Sequence, residues 1–298
     1  MTNLERRYRA LVGVLPRWYR EDREEEMVGL FLADRTDELD LEHGWPGWGE
    51  TGAMLALAVR TRFAASHAPV SAVRLGEVAR WLAVLGLVLG LKDVVHVVYA
   101  EIVVRVSGEQ VPPPQWEAVL ANFSPLAVIA LLLRGHRTWA KVVAGAALVP
   151  WLVNAVTDPG PAGVASVLWQ LPLLGAFVAL CLGFHREAPV PSARSVLWWA
   201  GAAVLVGVAE LFAWGFSPLV VPVAVLAARV FAYVRGEVAL GRALAIFAVL
   251  SAGGVVVTYL SGPPELRGVV VVAAALLVVS AAAPVGATRV RVRRSPRP

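Results

Sequence analysis

In the run LGLVLGLKDVVHVV, Leu85 to Val98, three ionisable side chains interrupt a stretch that is otherwise aliphatic residues and glycine. Lys92 offers a cation, Asp93 a carboxylate, and His96 an imidazole that titrates near neutral pH. A charge at the centre of a bilayer costs about 2.5–3.5 kcal/mol on insertion scales, so such groups must face protein or water and find partners. At about 100° per residue, Lys92, His96 and Tyr99 share one stripe of a helix, and Gly86, Gly90, Asp93, Val97 and Glu101 share another. Gly86 and Gly90 form a GxxxG spacing that lets a second helix approach closely, which predicts a packed and paired Asp93. The candidate partners elsewhere are Glu210, Arg229, Gln170 and Asn154, with Arg229 and Lys141 close enough to a membrane surface to snorkel. Two roles stay open. Lys92, Asp93, His96 and Glu210 line a proton or ion path, or Lys92 and Asp93 neutralise one another and merely fix which helices pack together.

A helix must carry this cluster through lipid, and the composition agrees. Of 298 residues, 58% are hydrophobic and 16% charged, against about a quarter charged in soluble domains. From Arg80 onward come apolar runs of spanning length, about 20 residues each. They number about eight: 81–104, 116–133, 138–156, 162–184, 195–216, 217–234, 242–260 and 267–284. Pro125, Pro150, Pro172, Pro218 and Pro222 lie in these runs or at their starts and predict kinks. Trp81, Trp116, Trp139, Trp198 and Trp199 fall near run ends, as interfacial anchors do.

The loops set an orientation. Arg134, Arg137, Lys141, Arg186, Arg194, Arg229, Arg235, Arg242 and the tail arginines 289, 291, 293, 294 and 297 lie on one side, against Arg105 and Arg267 on the other. Thirteen basic residues against two place both termini in the cytoplasm and favour an even number of spans. Residues 287–298 form a basic tail suited to anionic lipid.

Residues 1–74 differ, holding 12 acidic and 10 basic residues. Leu4, Tyr8, Leu11, Val12 and Leu15 draw one stripe of an amphipathic helix. Pro16 opens a second, with Tyr19, Arg23, Met27, Leu30 and Phe31 on its inner side. LEHGWPGWGE is a turn-rich connection to a third helix, about 50–63, with Met54, Leu55 and Ala58 inward. The opening lacks the apolar stretch of a signal peptide.

Several chemistries find no support. There is no phosphate-loop, HExxH, GxSxG or kinase signature, so no catalytic residue is expected. The five histidines do not share a helix face at ligand spacing and Cys181 is the only cysteine, so neither metal nor cofactor is expected. The net charge of +5 is spread over loops with no basic groove, which argues against nucleic acid.

The stretch YRALVGVLPRWYREDREEEMVGLFL resembles the N-terminal HAAS or permease-prefix helical domain of bacterial, actinobacterial-type polytopic membrane proteins. The matching residues are Tyr8, Leu11, Leu15, Pro16, Tyr19, Arg20, Glu25, Glu26 and Met27. The resemblance covers about the first 65 residues and implies a cytoplasmic module that docks a cytosolic regulator or an ABC-type exporter partner. It puts Tyr19, Arg20, Glu25 and Glu26 on the docking side and implies no catalytic residue. The short outside loops depart from the permease members, which carry a large extracytoplasmic domain.

The expectation is therefore an all-α protein: a cytoplasmic three-helix domain over 1–74, a transmembrane bundle over 75–286 and a basic tail, in a bacterial inner membrane. Its expected function is non-enzymatic, a signalling or envelope-stress role through a docked partner. The alternative is a permease or exporter component that moves a small solute or ion past Lys92, Asp93 and His96.

Overall fold

The computed structural model describes residues 1–33, 38–64, 66, 68–107, 116–158 and 160–283, and among them every regular element is helical. The basic tail, with its five arginines, lies outside the described residues, as does much of the loop before Trp116. The chain divides into two compact units. One is Met1–Glu77 with His185–Ala188; the other is Val78–Phe184 and the chain from Pro189 on.

The first unit holds four helices rather than three: α1 (Asn3–Val12), α2 (Arg17–Ala33), α3 (Glu38–His43) and α4 (Trp48–Arg62). The connection LEHGWPGWGE begins inside the extra helix, whose end is held by Arg7, donating to the carbonyls of His43 and Gly44 at 3.2 and 2.8 Å. Thr2 caps α1 by accepting from the Glu5 amide at 3.2 Å. The Pro16 carbonyl accepts the first amides of α2, from Tyr19 and Arg20.

Tyr8, Val12, Leu15, Val28, Met54 and Ala58 form the core, and Tyr8 stacks on Phe31 with centroids 3.9 Å apart. Three expected inner positions, Arg23, Leu30 and Leu55, face out instead. Leu30 and Leu55 are exposed, and Val28 and Thr61 are buried. Met54 and Ala58 keep the expected stripe, which Thr61 extends, while in α2 Val28 joins Tyr19, Met27 and Phe31 on the core. His185, far along the chain, joins this unit through its Nε2, 3.0 Å from the Phe63 carbonyl.

The second unit is a helical bundle. Seven helices are long and apolar enough to cross a membrane: α5 (Val70–Ser107), α7 (Arg137–Thr157), α8 (Pro161–Gly183), α9 (Ala193–Phe212), α10 (Ser217–Arg235), α11 (Val238–Ser261), and α12 (Arg267–Ala282) with the turn before it. The expected second span forms α6 (Trp116–Leu133), but its apolar stretch over described side chains, Leu120–Leu133, is shorter than the others. Among the described residues, seven of the about eight expected spans are thus long and apolar enough to cross a membrane.

Helix α5 is the most enclosed of the seven. Val78, Leu82, Ala83, Val84, Leu85, Leu87, Val88 and Leu91 are all buried, so it is apolar all round, as a central helix must be. Leu91 is the last buried residue of α5, and Lys92 to Val97 are all half-buried. Neighbours around the bundle run α6–α7–α8–α11, with α10 and α12 packed on α11 and on each other, and α9 packed on α10. Trp81, Trp198 and Trp199 join Phe231 in one aromatic cluster, with ring centroids 5.0–6.2 Å apart for the Trp81–Trp199, Trp198–Trp199 and Trp198–Phe231 pairs.

Candidate functional site: a charged cavity in the membrane unit

Glycines bring the charged residues together. On one side of α5, Gly86 lies against Ala176 and the Pro172 carbonyl of α8, and Gly90 against the Pro125 ring of α6. A side chain at either position would collide, so the GxxxG pair does pack helices. On another side, Gly207 of α9 rests on the backbone of Lys92, where an added Cβ would meet the Lys92 Cα at 3.0 Å. Glu210 follows Gly207 by three residues and so lies on the same face of α9. This approach delivers its carboxylate to α5.

The resulting cluster is tight. Lys92 Nζ lies 2.8 Å from Asp93 Oδ1 and 3.5 Å from Glu210 Oε2. His96, one turn along α5, places Nε2 3.4 Å from the same Glu210 oxygen. The structure therefore assembles all four residues singled out in the sequence. It differs on which carboxylate is enclosed. Glu210 and Lys92 side chains are 14% and 13% exposed, whereas Asp93 is 46% exposed. The glycine seam ends at Gly90, and Asp93, one turn beyond it, opens into a cavity instead of a helix contact.

That cavity measures about 160 Å³ and is lined by Lys92, Asp93 and Glu210 together with residues of α6, α7, α8, α10, α11 and α12. Asn122, Gln170, Ser217, Ser251 and Thr258 give it further polar groups, and Trp151 and Trp169 give it aromatic walls. Pro125, Pro172, Pro218 and Pro222 line it as well. Proline removes the amide that would serve the carbonyl four residues back. At Pro125 that carbonyl is Ala121, and the Ser124 hydroxyl donates to it at 2.7 Å, which keeps the broken turn satisfied in an apolar setting.

Of the other candidate partners, Gln170 reaches the cavity, while Asn154 is exposed on α7. Arg229 does not snorkel. It is 4% exposed, and its guanidinium donates to the carbonyls of Ser280, Gly241 and Ala283, clasping α10 to α11 and to the end of α12. A cation at a helix C-terminus satisfies carbonyls that have no amide of their own. Lys141 turns inward too, donating to the Cys181 carbonyl at 3.3 Å.

The residues expected to dock a partner are partly occupied within the first unit. Arg9 grips Glu25 through two hydrogen bonds of 2.6 and 2.9 Å and reaches Glu5 at 3.0 Å. The hydrogen bonds from Arg9 hold the Glu25 carboxyl below its ordinary range, and the Arg9 pKa rises in return. Burial, with Glu50 nearby, pushes the Tyr8 phenol up. Tyr19 packs on the core under the Arg23 guanidinium, 5.5 Å from the ring centre. Arg20 is half-buried and Glu26 exposed.

The sequence reading missed Gly207, Ser251, Thr258, Trp151 and Trp169. Only Gly207 left a signal, its spacing of three from Glu210. The others come from three helices, α7, α8 and α11, and their meeting depends on packing that no local pattern encodes.

The class defined here is the multi-pass α-helical membrane protein, by the length and composition of its helices. No family model, curated protein or solved structure matches the chain.

Proposed function

We propose that the chain is a permease or exporter component of a bacterial inner membrane, with both termini cytoplasmic, whose second unit binds and passes a small solute or ion through the Lys92–Asp93–Glu210 cavity. The thirteen-to-two division of basic residues supports the orientation. The observation that carries the function is the meeting of three charged side chains, from helices α5 and α9, in the wall of one cavity within the apolar bundle. Charges that served only to hold helices together would be fully enclosed, as Arg229 is; Asp93 instead faces open space. Ionisable groups inside a membrane unit mark solute and proton routes for this reason.

Reconstituted into vesicles, the protein should admit at least one small ion or solute from a panel of sodium, potassium, chloride, acetate and simple amines. That flux should collapse in Asp93→Asn at unchanged membrane abundance. Flux of every probe equal to protein-free vesicles, or flux indifferent to Asp93→Asn, overturns the proposal.

A second reading, signalling through a docked partner, draws on the first unit. Its Trp45 and Trp48 are 56% and 83% exposed, and large aromatic residues left on a surface are what a docked partner covers. The HAAS-like resemblance points the same way. Full-length protein should then retain a specific partner that Trp48→Ala loses, and failure to enrich any protein over an empty-membrane control counts against it.

A further inference from the structure

We infer that the cavity is a site for a small organic cation, held by the Asp93 carboxylate against the indoles of Trp151 and Trp169. The inference rests on the solute-binding reading above and names the class of solute.

Charge comes first. The charged groups lining the cavity among the described residues are Lys92, Asp93 and Glu210: one cation and two carboxylates. His96 is the further titratable group in contact, 3.4 Å from Glu210. Two carboxylates against one ammonium leave the lining one cation short, and such an imbalance inside an apolar bundle draws in a cation. The geometry says which acid receives it. Lys92 and Glu210 face one another across the α5–α9 contact and are nearly enclosed, whereas Asp93 keeps almost half its surface open. An anion would have to approach past Asp93 to reach an ammonium already engaged by two carboxylates.

The walls then separate organic from inorganic cations. A site for sodium or potassium gathers oxygen ligands at short range. This cavity counts Trp151 and Trp169 in the same lining as its one open carboxylate. Tryptophan is the best of the aromatic faces for an alkylammonium, whose charge is spread over carbon and only weakly hydrated. Trp169 packs against α11 at Gly254, where an added Cβ would meet the ring at 3.5 Å. Size fits as well. A cavity of about 150 Å³ holds benzene, so a space of about 160 Å³ accepts about six non-hydrogen atoms.

The probe is tetramethylammonium, with tert-butanol as its neutral counterpart of equal heavy-atom count and sodium chloride as the inorganic and ionic-strength control. Thermal unfolding of the full-length protein in lipid nanodiscs reads binding. Tetramethylammonium should raise the unfolding temperature saturably where matched sodium chloride and tert-butanol do not. Asp93→Asn should abolish the rise and Asp93→Glu should keep it, which separates lost binding from lost folding. Trp169→Leu should weaken the apparent affinity by about fivefold or more. A saturable rise with tert-butanol, acetate or sodium instead leaves a solute site standing but overturns the organic-cation class. No rise with any probe overturns this inference, and flux measured separately then decides the broader reading. A rise with tetramethylammonium that survives Asp93→Asn overturns the inference too.

Discussion

Two ion pairs, one in each unit, set the terms of comparison. In the first unit Arg9 and Glu25 meet in ideal bidentate geometry at 2.6 and 2.9 Å, yet Glu25 is 81% exposed. In the second, Lys92 and Glu210 stand at a looser 3.5 Å with both side chains nearly enclosed. Geometry alone would rank the first pair higher. Solvent reverses the order, because water screens the exposed pair and competes for its hydrogen bonds, so surface pairs contribute little. The enclosed pair has given up hydration, and removing one partner strands a charge. The closer contact is the less important one.

The largest effect should follow from breaking the enclosed pair. Lys92→Leu should destabilise the membrane unit by about 3–5 kcal/mol, since it leaves Glu210 without its cation. Lys92→Leu with Glu210→Leu should recover most of that loss, as apolar replacements of buried pairs commonly do. Unfolding in nanodiscs measures the cycle, and a double variant as damaged as the single would show that the two residues are not partners. A smaller effect should come from Gly207→Ala, whose Cβ would press on Lys92 at 3.0 Å. It should cost about 1–3 kcal/mol by overpacking. An unchanged unfolding temperature would mean that α9 does not lie against Lys92.

Legibility in the sequence follows the same division. The helices of the membrane unit could be placed because each apolar run is long and its ends are marked by arginine, proline or tryptophan. Lys92, Asp93, His96 and Glu210 stood out for the converse reason, since ionisable groups in such runs are rare. Which acid would be enclosed was not legible. The GxxxG stripe contains Asp93, but the seam depends on Pro125 and Ala176 from other helices and ends one turn before it. Arg229 misled for a similar reason: its position in the chain suggests a membrane surface, and only the three-dimensional meeting with the ends of α11 and α12 shows its carbonyl partners. In the first unit, short helices gave stripes accurate to about one residue, which sufficed for Tyr8, Val12 and Met54 but reversed Leu30 and Leu55.

The smallest effect belongs to the exposed pair, and it depends on pH. Arg9 holds the Glu25 carboxyl below its ordinary range, so the folded state binds that proton less readily than the unfolded state. The stabilisation is therefore fully present above the ordinary carboxylate range and lost as pH falls through the depressed value. Hydrogen exchange of α1 and α2 in the full-length protein should be slightly faster in Glu25→Gln than in the parent at neutral pH. The two should converge in acid. A difference that grew on acidification would contradict the Arg9–Glu25 clasp.

The account turns on whether the charged cluster borders a space that water and solutes enter. Ser251, on the cavity wall, and Leu205, 70% exposed on α9, provide the contrast. Each is replaced by cysteine in a Cys181→Ala background, and the rate of reaction with a water-soluble methanethiosulfonate is measured in intact membranes. Only a thiolate attacks the reagent, displacing methanesulfinate to form a mixed disulfide, and the thiolate forms in a polar, hydrated setting and not against lipid. The account predicts that Ser251→Cys reacts at least about tenfold faster than Leu205→Cys and that tetramethylammonium slows it. Equal and negligible rates at both positions would contradict it and leave Lys92, Asp93 and Glu210 as groups that hold helices together.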